Sequence, residues 1–170
     1  MTILVAGIGN IFMGDDGFGP EVVRRLSSAV DESALPDEAK VVDYGIRGMH
    51  LAYDLLDGYD ALVLVDAIPG RAPPGEVVVM EVGADDLGGG EFDAHGMDPV
   101  AVLSSLSALG GELPPTYVVG AQPTDLSEQI GLSEPMRAAV PVAAAAVRTL
   151  LVDLLAREPT TATTVSGRNY

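Results

Sequence analysis

The chain has 170 residues, which is enough for one domain with a hydrophobic core. It carries 9 basic and 25 acidic residues, giving a formal net charge of −16. This balance disfavours nucleic acid and anionic membranes as partners, because both are bound through basic patches. The sequence contains no cysteine, which excludes disulfides, thiolate metal sites and cysteine nucleophiles.

An apolar run opens the chain and leads into a glycine-rich segment with two adjacent acids. Residues Ile3 to Ala6 are typical of a short buried strand. The segment Gly7 to Asn10 favours a sharp turn with positive φ or close backbone approach. Asp15 and Asp16 follow, before a helical pattern that begins near Pro20. We therefore expect both acids at the carboxyl end of the first strand, where open α/β sheets build their sites.

Three interpretations of this acidic segment compete. A dinucleotide fingerprint is disfavoured because Phe12 stands where the third glycine is required, and because two acids would repel a pyrophosphate. Asp16 could simply cap the following helix. It could instead be a metal-binding or catalytic carboxylate, provided that partners occur elsewhere in the chain. Asp15 is expected either to accept hydrogen bonds from loop amides or to face solvent.

Strands and helices alternate along the rest of the chain. The pattern predicts strands at 40–44, 61–66, 75–82 and 116–121, and helices at 49–56, 99–109 and 135–157. Five consecutive apolar residues indicate that the strand at 61–66 is central and parallel. The strand at 75–82 is expected at an antiparallel edge, because the proline-rich loop before it is too short for a crossover helix. Pro141 predicts a kink or a late start in the last helix.

These elements define the expected domain organisation. The alternation predicts a single three-layer α/β domain, with a mostly parallel sheet of about five strands and helices on both faces. We assign this domain to residues 1–158. Residues 159–170 are rich in Thr, Ser and Gly, and they are expected to form a disordered tail.

Three potential metal ligands each follow a predicted strand, towards the same edge of the sheet: Asp16, Asp66 and His95. Two carboxylates and one imidazole form an ordinary ligand set for Ni, Zn, Mn or Fe. Taken singly, Asp66 could act as a cap or bind loop amides, and His95 could be a solvated loop residue. Asp43, at the end of the second strand, could join the rim of the site, whereas His50 is predicted to be structural or exposed. No nucleophile elbow or zincin motif is present in the sequence.

The segment from Gly7 to Gly19 resembles the opening motif of the nickel–iron hydrogenase maturation endopeptidases. Four further segments are similar to later parts of that family, in the same order: Asp43 with Gly45 and Gly48, Val65 to Ala67, His95 before an amphipathic helix, and Gly120 to Pro123 with Gly131 to Ser133. The resemblance covers about residues 1–155.

The resemblance implies an endopeptidase that removes the C-terminal extension of the hydrogenase large-subunit precursor after nickel insertion. It implies Asp16, Asp66 and His95 as catalytic residues and nickel contacts, although some members have Glu in place of Asp16. It also implies substrate handling by the segment that contains Asp43, Gly45 and Gly48. Nickel would be supplied by the substrate, and other divalent metals could occupy the site in vitro.

Two mechanisms stay open at this point. A metal could polarise the scissile carbonyl and lower the pKa of a bound water to about 7. Asp16 or Asp66 could instead act as the general base.

The sequence also leaves rival functions open. One is a non-catalytic maturation chaperone or metal-sensing module on the same fold. Another is a different peptidase of similar architecture, such as the spore germination type. We expect a cytoplasmic protein, because neither a signal-peptide pattern nor an uninterrupted apolar run of about 18 residues is evident. We also expect it to be a monomer without a membrane partner.

Overall fold

The computed structural model describes residues 1–28, 34–70, 72–83 and 99–157. Over these ranges the strands are β1 (Ile3–Ile8), β2 (Ala39–Gly45), β3 (Ala61–Ala67), β4 (Val77–Val82) and β5 (Thr116–Ala121). The helices are α1 (Phe18–Ser27), α2 (Gly48–Leu55), α3 (Pro99–Ala108) and α4 (Glu134–Ala156). A short 3₁₀ segment, Gly14–Gly17, is called the acidic turn below. His95 and the predicted tail at 159–170 lie outside the described residues.

The strands form one sheet in the order β2-β1-β3-β5-β4. The strands β2, β1, β3 and β5 are parallel. The edge strand β4 pairs with β5 in the antiparallel direction, as predicted. Gly7 of β1 lies level with Asp43 of β2 and Val65 of β3, and Asp66 lies level with Gly120 of β5. The carboxyl ends of the four parallel strands therefore meet at one edge of the sheet.

Helices cover both faces of the sheet, which confirms the predicted three-layer α/β architecture. Alternate residues of β1 enter different cores, because successive side chains of a strand point to opposite faces. Ile3 and Val5 pack with α1 and α4, whereas Leu4 and Ala6 pack with α2 and α3. The two cores leave the carboxyl edge of the sheet to the connecting loops.

Helix α4 begins at Glu134 and continues through Pro141, so of the two alternatives predicted for Pro141 the late start is wrong. Pro135 occupies the first turn, where a missing N–H costs little. Buried side chains both before and after Pro141, among them Met136 and Val147, anchor the helix to the core. By length and hydropathy α4 could also span a membrane, but a core helix of a folded domain meets the same criterion.

Candidate active site

Glycines allow the acidic turn to sit directly on the carboxyl ends of β1 and β3. Gly9 has a φ of +138°, and a Cβ on it would lie 1.8 Å from the carbonyl oxygen of Asp16. A Cβ on Gly19 would lie 2.2 Å from the carbonyl oxygen of Val65. Because no side chain fits at either position, the glycine pattern seats both acids of the turn at the edge of the sheet.

Asp16 is buried in this turn, with 2% of its surface exposed. Its Oδ2 accepts a hydrogen bond of 2.7 Å from the backbone N–H of Asn10, in the loop after β1. The N-cap residue of α1 is Gly17, and no side chain caps that helix. The alternative interpretation of Asp16 as a cap for α1 is therefore wrong.

Asp66 follows Val65 near the end of β3, the strand that pairs directly with β1. Burial raises the pKa of Asp66 well above its ordinary value, and the negative charge of Asp16 raises the pKa further. The backbone N–H of Ala67 donates to Asp66 Oδ1 at 2.7 Å and opposes this rise. The fold thus brings Asp16 and Asp66 within electrostatic reach of each other, where a proton or a cation would stabilise the pair.

The third predicted ligand, His95, lies outside the described residues, and its role stays a prediction. Within the described ranges no group of three or more His, Cys, Asp or Glu residues is arranged to hold a metal ion. The described part of the chain therefore supplies two of the three predicted donors.

The predicted substrate-handling segment lies beside the same turn. Asp43 is exposed at the end of β2, and its Oδ1 accepts the N–H of Gly45 at 2.9 Å. The carbonyl of Gly45 accepts the N–H of Gly9 at 3.0 Å, which ties this loop to the loop after β1. Gly48 begins α2. These contacts place the segment at the rim of the site, and its function stays a prediction.

Asp15 has a different environment, which the sequence left open. The carboxylate is fully buried, and its Oδ1 accepts the backbone N–H of Ser133 at 2.6 Å. Its Oδ2 accepts the backbone N–H groups of Thr124 and Asp125 and the hydroxyl of Ser133, at 2.8 to 2.9 Å. Burial alone would raise the pKa of Asp15, but these hydrogen bonds outweigh it, and the pKa lies below its ordinary value. Asp15 therefore fastens the loop after β5 to the acidic turn.

An α/β domain with paired carboxylates at the carboxyl edge of a parallel sheet has the layout of an enzyme site. Residues 20–149 match the family model described as hydrogenase maturation protease. The chain is 30% identical over 164 residues to the hydrogenase 2 maturation protease of Escherichia coli (strain K12), covering 93% of this chain and 98% of that protein. It is 34% identical over 145 residues to a putative hydrogenase maturation protease of Methanocaldococcus jannaschii, covering 81% and 88%.

A solved structure gives the same result. The hydrogenase maturating endopeptidase HybD from E. coli superposes with a TM-score of 0.75 at 29% identity, covering 91% of this chain and 94% of that one. The chain belongs to the hydrogenase maturation protease family, which confirms the resemblance and makes the protein a peptidase by descent.

Proposed function

We propose that this protein is an endopeptidase that removes the C-terminal extension from the nickel-loaded large-subunit precursor of a nickel–iron hydrogenase. The observation that carries the proposal is the convergence of Asp16 and Asp66 at the carboxyl edge of the sheet. Membership of the maturation protease family supplies the substrate class.

The donor set suits a nickel centre that arrives in the substrate. The carboxylates of Asp16, which is buried, and Asp66, which is partly buried, repel each other when both are ionised, and a divalent cation between them would offset both the repulsion and the cost of burial. In this proposal His95 completes the set, since carboxylate oxygens and imidazole nitrogen are accepted ligands for such ions. Contact with nickel then doubles as a check that metal insertion is complete.

The two carboxylates have different environments that suit them to separate tasks. The N–H of Asn10 holds Asp16 in one orientation. The raised pKa of Asp66 suits it to hold a proton at a pH where ordinary carboxyl groups are ionised. Either a carboxylate removes a proton from the attacking water, or the nickel of the substrate, acting as a Lewis acid, lowers the pKa of that water.

We further propose a cytoplasmic monomer that binds neither nucleic acid nor membrane. The net charge of −16 supports the absence of nucleic-acid and membrane binding, because anionic surfaces repel an acidic protein.

Intact mass of the precursor tests the proposal. Parental protein should shorten nickel-loaded precursor and leave nickel-free precursor uncut. Asp16→Asn, Asp66→Asn and His95→Ala should each fold and lose most of this processing, whereas Asp153→Asn, on an exposed position of α4, should match the parent.

Three results would contradict the proposal. An unchanged mass would point to a chaperone or metal sensor, and cleavage of unrelated peptides would point to a general peptidase. Parental rates for any one of the three site variants would remove that residue from the site.

A further inference from the structure

A groove of about 510 Å³ lies between α1 and α4, beside the acidic turn. Gly14 and Gly17, which begin and end that turn, line one part of the groove, and Arg25 and Ser28 line another. An α-helix rises about 1.5 Å per residue, so the groove extends about 16 Å along α1, from Gly17 to Ser28. It therefore begins next to the segment that carries Asp16 and leads away from it.

Exposed apolar side chains mark the end of the groove near the turn. Ile11 and Ile130 line it, and they are 46% and 78% exposed. Backbone hydrogen bonds brace the loops that carry them, from Gln129 to the carbonyl of Phe12 and from Gly14 to the carbonyl of Gln129, both at 2.9 Å. A partner that covers these exposed apolar side chains lowers the free energy, because apolar surface is removed from water.

The charge of the groove is opposite to that of the molecule. Among the described residues, Arg24, Arg25 and Arg137 line it together with one acid, Glu21, which pairs with Arg24 at 2.8 Å. The whole chain has only 9 basic residues and a net charge of −16. Arg137 also donates to the carbonyl of Leu132 at 3.0 Å, which holds its guanidinium group at the groove wall. An acidic ligand would therefore be attracted to this groove and repelled by most of the remaining surface.

We propose that this groove docks a segment of the hydrogenase large-subunit precursor that carries both acidic and apolar side chains. The inference deepens the proposed function and rests on it. Charge complementarity favours such a segment, whereas a second copy of this chain would bring a further net charge of −16 with it. The side chain of Asp16 does not line the groove, so docking and bond cleavage are separable.

Steady-state kinetics on nickel-loaded precursor test the inference with two groove variants, Ile130→Asp and Arg137→Glu. Each should raise KM about tenfold, the size expected of an interface anchor, and leave kcat unchanged. The matched controls are Val152→Asp, at a 62% exposed position towards the other end of α4, and Lys40→Glu, on the edge strand β2. Both controls should keep the parental KM. Groove variants with the parental KM would overturn the inference.

Direct binding separates this inference from the proposed function. If the parental protein cuts no precursor, the proposed function fails, and the affinity of parent and Arg137→Glu for uncut precursor then decides the docking question. Equal affinities overturn it, and a tenfold loss supports it. A dimer in sedimentation experiments that Ile130→Asp dissociates would assign the groove to a second copy and also overturn it. Equal melting temperatures of parent and variants establish that each variant is folded.

Discussion

At the scale of single residues, Asp15 and Asp16 are neighbours in the chain with opposite environments. Asp15 is surrounded by N–H and O–H donors from the segment between Thr124 and Ser133, which satisfy its charge within the protein. Asp16 accepts the N–H of Asn10 and lies within electrostatic reach of the carboxylate of Asp66. The first acid is therefore suited to hold a loop in place, and the second is suited to bind what the substrate brings.

Asp15→Asn should destabilise the protein by about 1–3 kcal/mol, because the new amide group would face N–H donors that lose their acceptor. The pKa of Asp15 is lowered, so its carboxylate stabilises the fold fully above the unfolded pKa of about 4. That contribution disappears as the pH falls through the lower folded pKa. Urea unfolding at several pH values should show the largest deficit at neutral pH, with the exposed Asp153→Asn as control. A deficit that is equal at all pH values would contradict the assignment.

Asp66→Asn should have the opposite effect on stability. The pKa of Asp66 in the folded protein is raised, so the native protein holds a proton that the unfolded chain releases above about pH 4. The free energy of unfolding therefore falls as the pH rises from there through the pKa of the folded state. Asparagine removes this loss. With a chelator present, the variant should melt at a higher temperature than the parent at pH 8, and the gain should vanish near pH 3.5. A variant that is less stable than the parent at pH 8 would show that contacts within the free protein stabilise the ionised carboxylate of Asp66, and would contradict this prediction.

At the scale of elements, local pattern predicted the sheet well where the strands are buried on both faces. The strand predicted at 116–121 is β5 with the same bounds, and the strand predicted at 61–66 is β3 with one more residue. Continuous apolar runs in these strands leave little choice of structure. Helix α1 begins at Phe18, two residues before Pro20, since the chain already turns through the acidic 3₁₀ segment.

Contacts between distant parts of the chain could not be predicted in this way. The partners of Asp15 lie 109 to 118 residues further along the chain, and no local pattern assigns them. The start of α4 was predicted to within one residue, at 135, but the alternative of a late start at Pro141 was wrong for a similar reason. The local cost of Pro141 favoured a late start, but tertiary packing of side chains on both sides of it keeps the helix continuous.

Pro141→Ala should stabilise α4. Proline in a helix interior costs about 3 kcal/mol relative to alanine. Proline also lowers the entropy of the unfolded chain, which stabilises the parental protein by about 1 kcal/mol that the alanine variant loses. The alanine N–H could donate to the carbonyl of Arg137, four residues earlier, so we expect a gain of about 2 kcal/mol in the free energy of unfolding. Pro135→Ala is the matched control, because a first-turn N–H has no such acceptor. Chemical unfolding measures both, and a loss of stability in Pro141→Ala would contradict this account.

At the scale of the whole molecule, the sheet topology gathers chemistry from distant parts of the sequence at one edge. The loops after β1, β2 and β5 are joined there by hydrogen bonds, through Gly9 with Gly45 and through Asp15 with Ser133. Asp66 reaches the same edge from β3. The groove between α1 and α4 begins beside this edge, so the proposed site of cleavage and the proposed docking surface share the acidic turn.

The donor set at this edge predicts weak metal binding by the free protein. Two carboxylates converge there, His95 is the one further ligand predicted, and closed structural sites usually have four protein ligands. We expect protein purified without added metal to contain well below one equivalent by elemental analysis. Nickel added to the protein alone should bind more weakly below about pH 6, where an imidazole with an ordinary pKa becomes protonated. Asp153→Asn should bind nickel like the parent, and Asp16→Asn should bind it less. Stoichiometric zinc in the free protein, together with cleavage of nickel-free precursor, would instead make it a self-contained metallopeptidase.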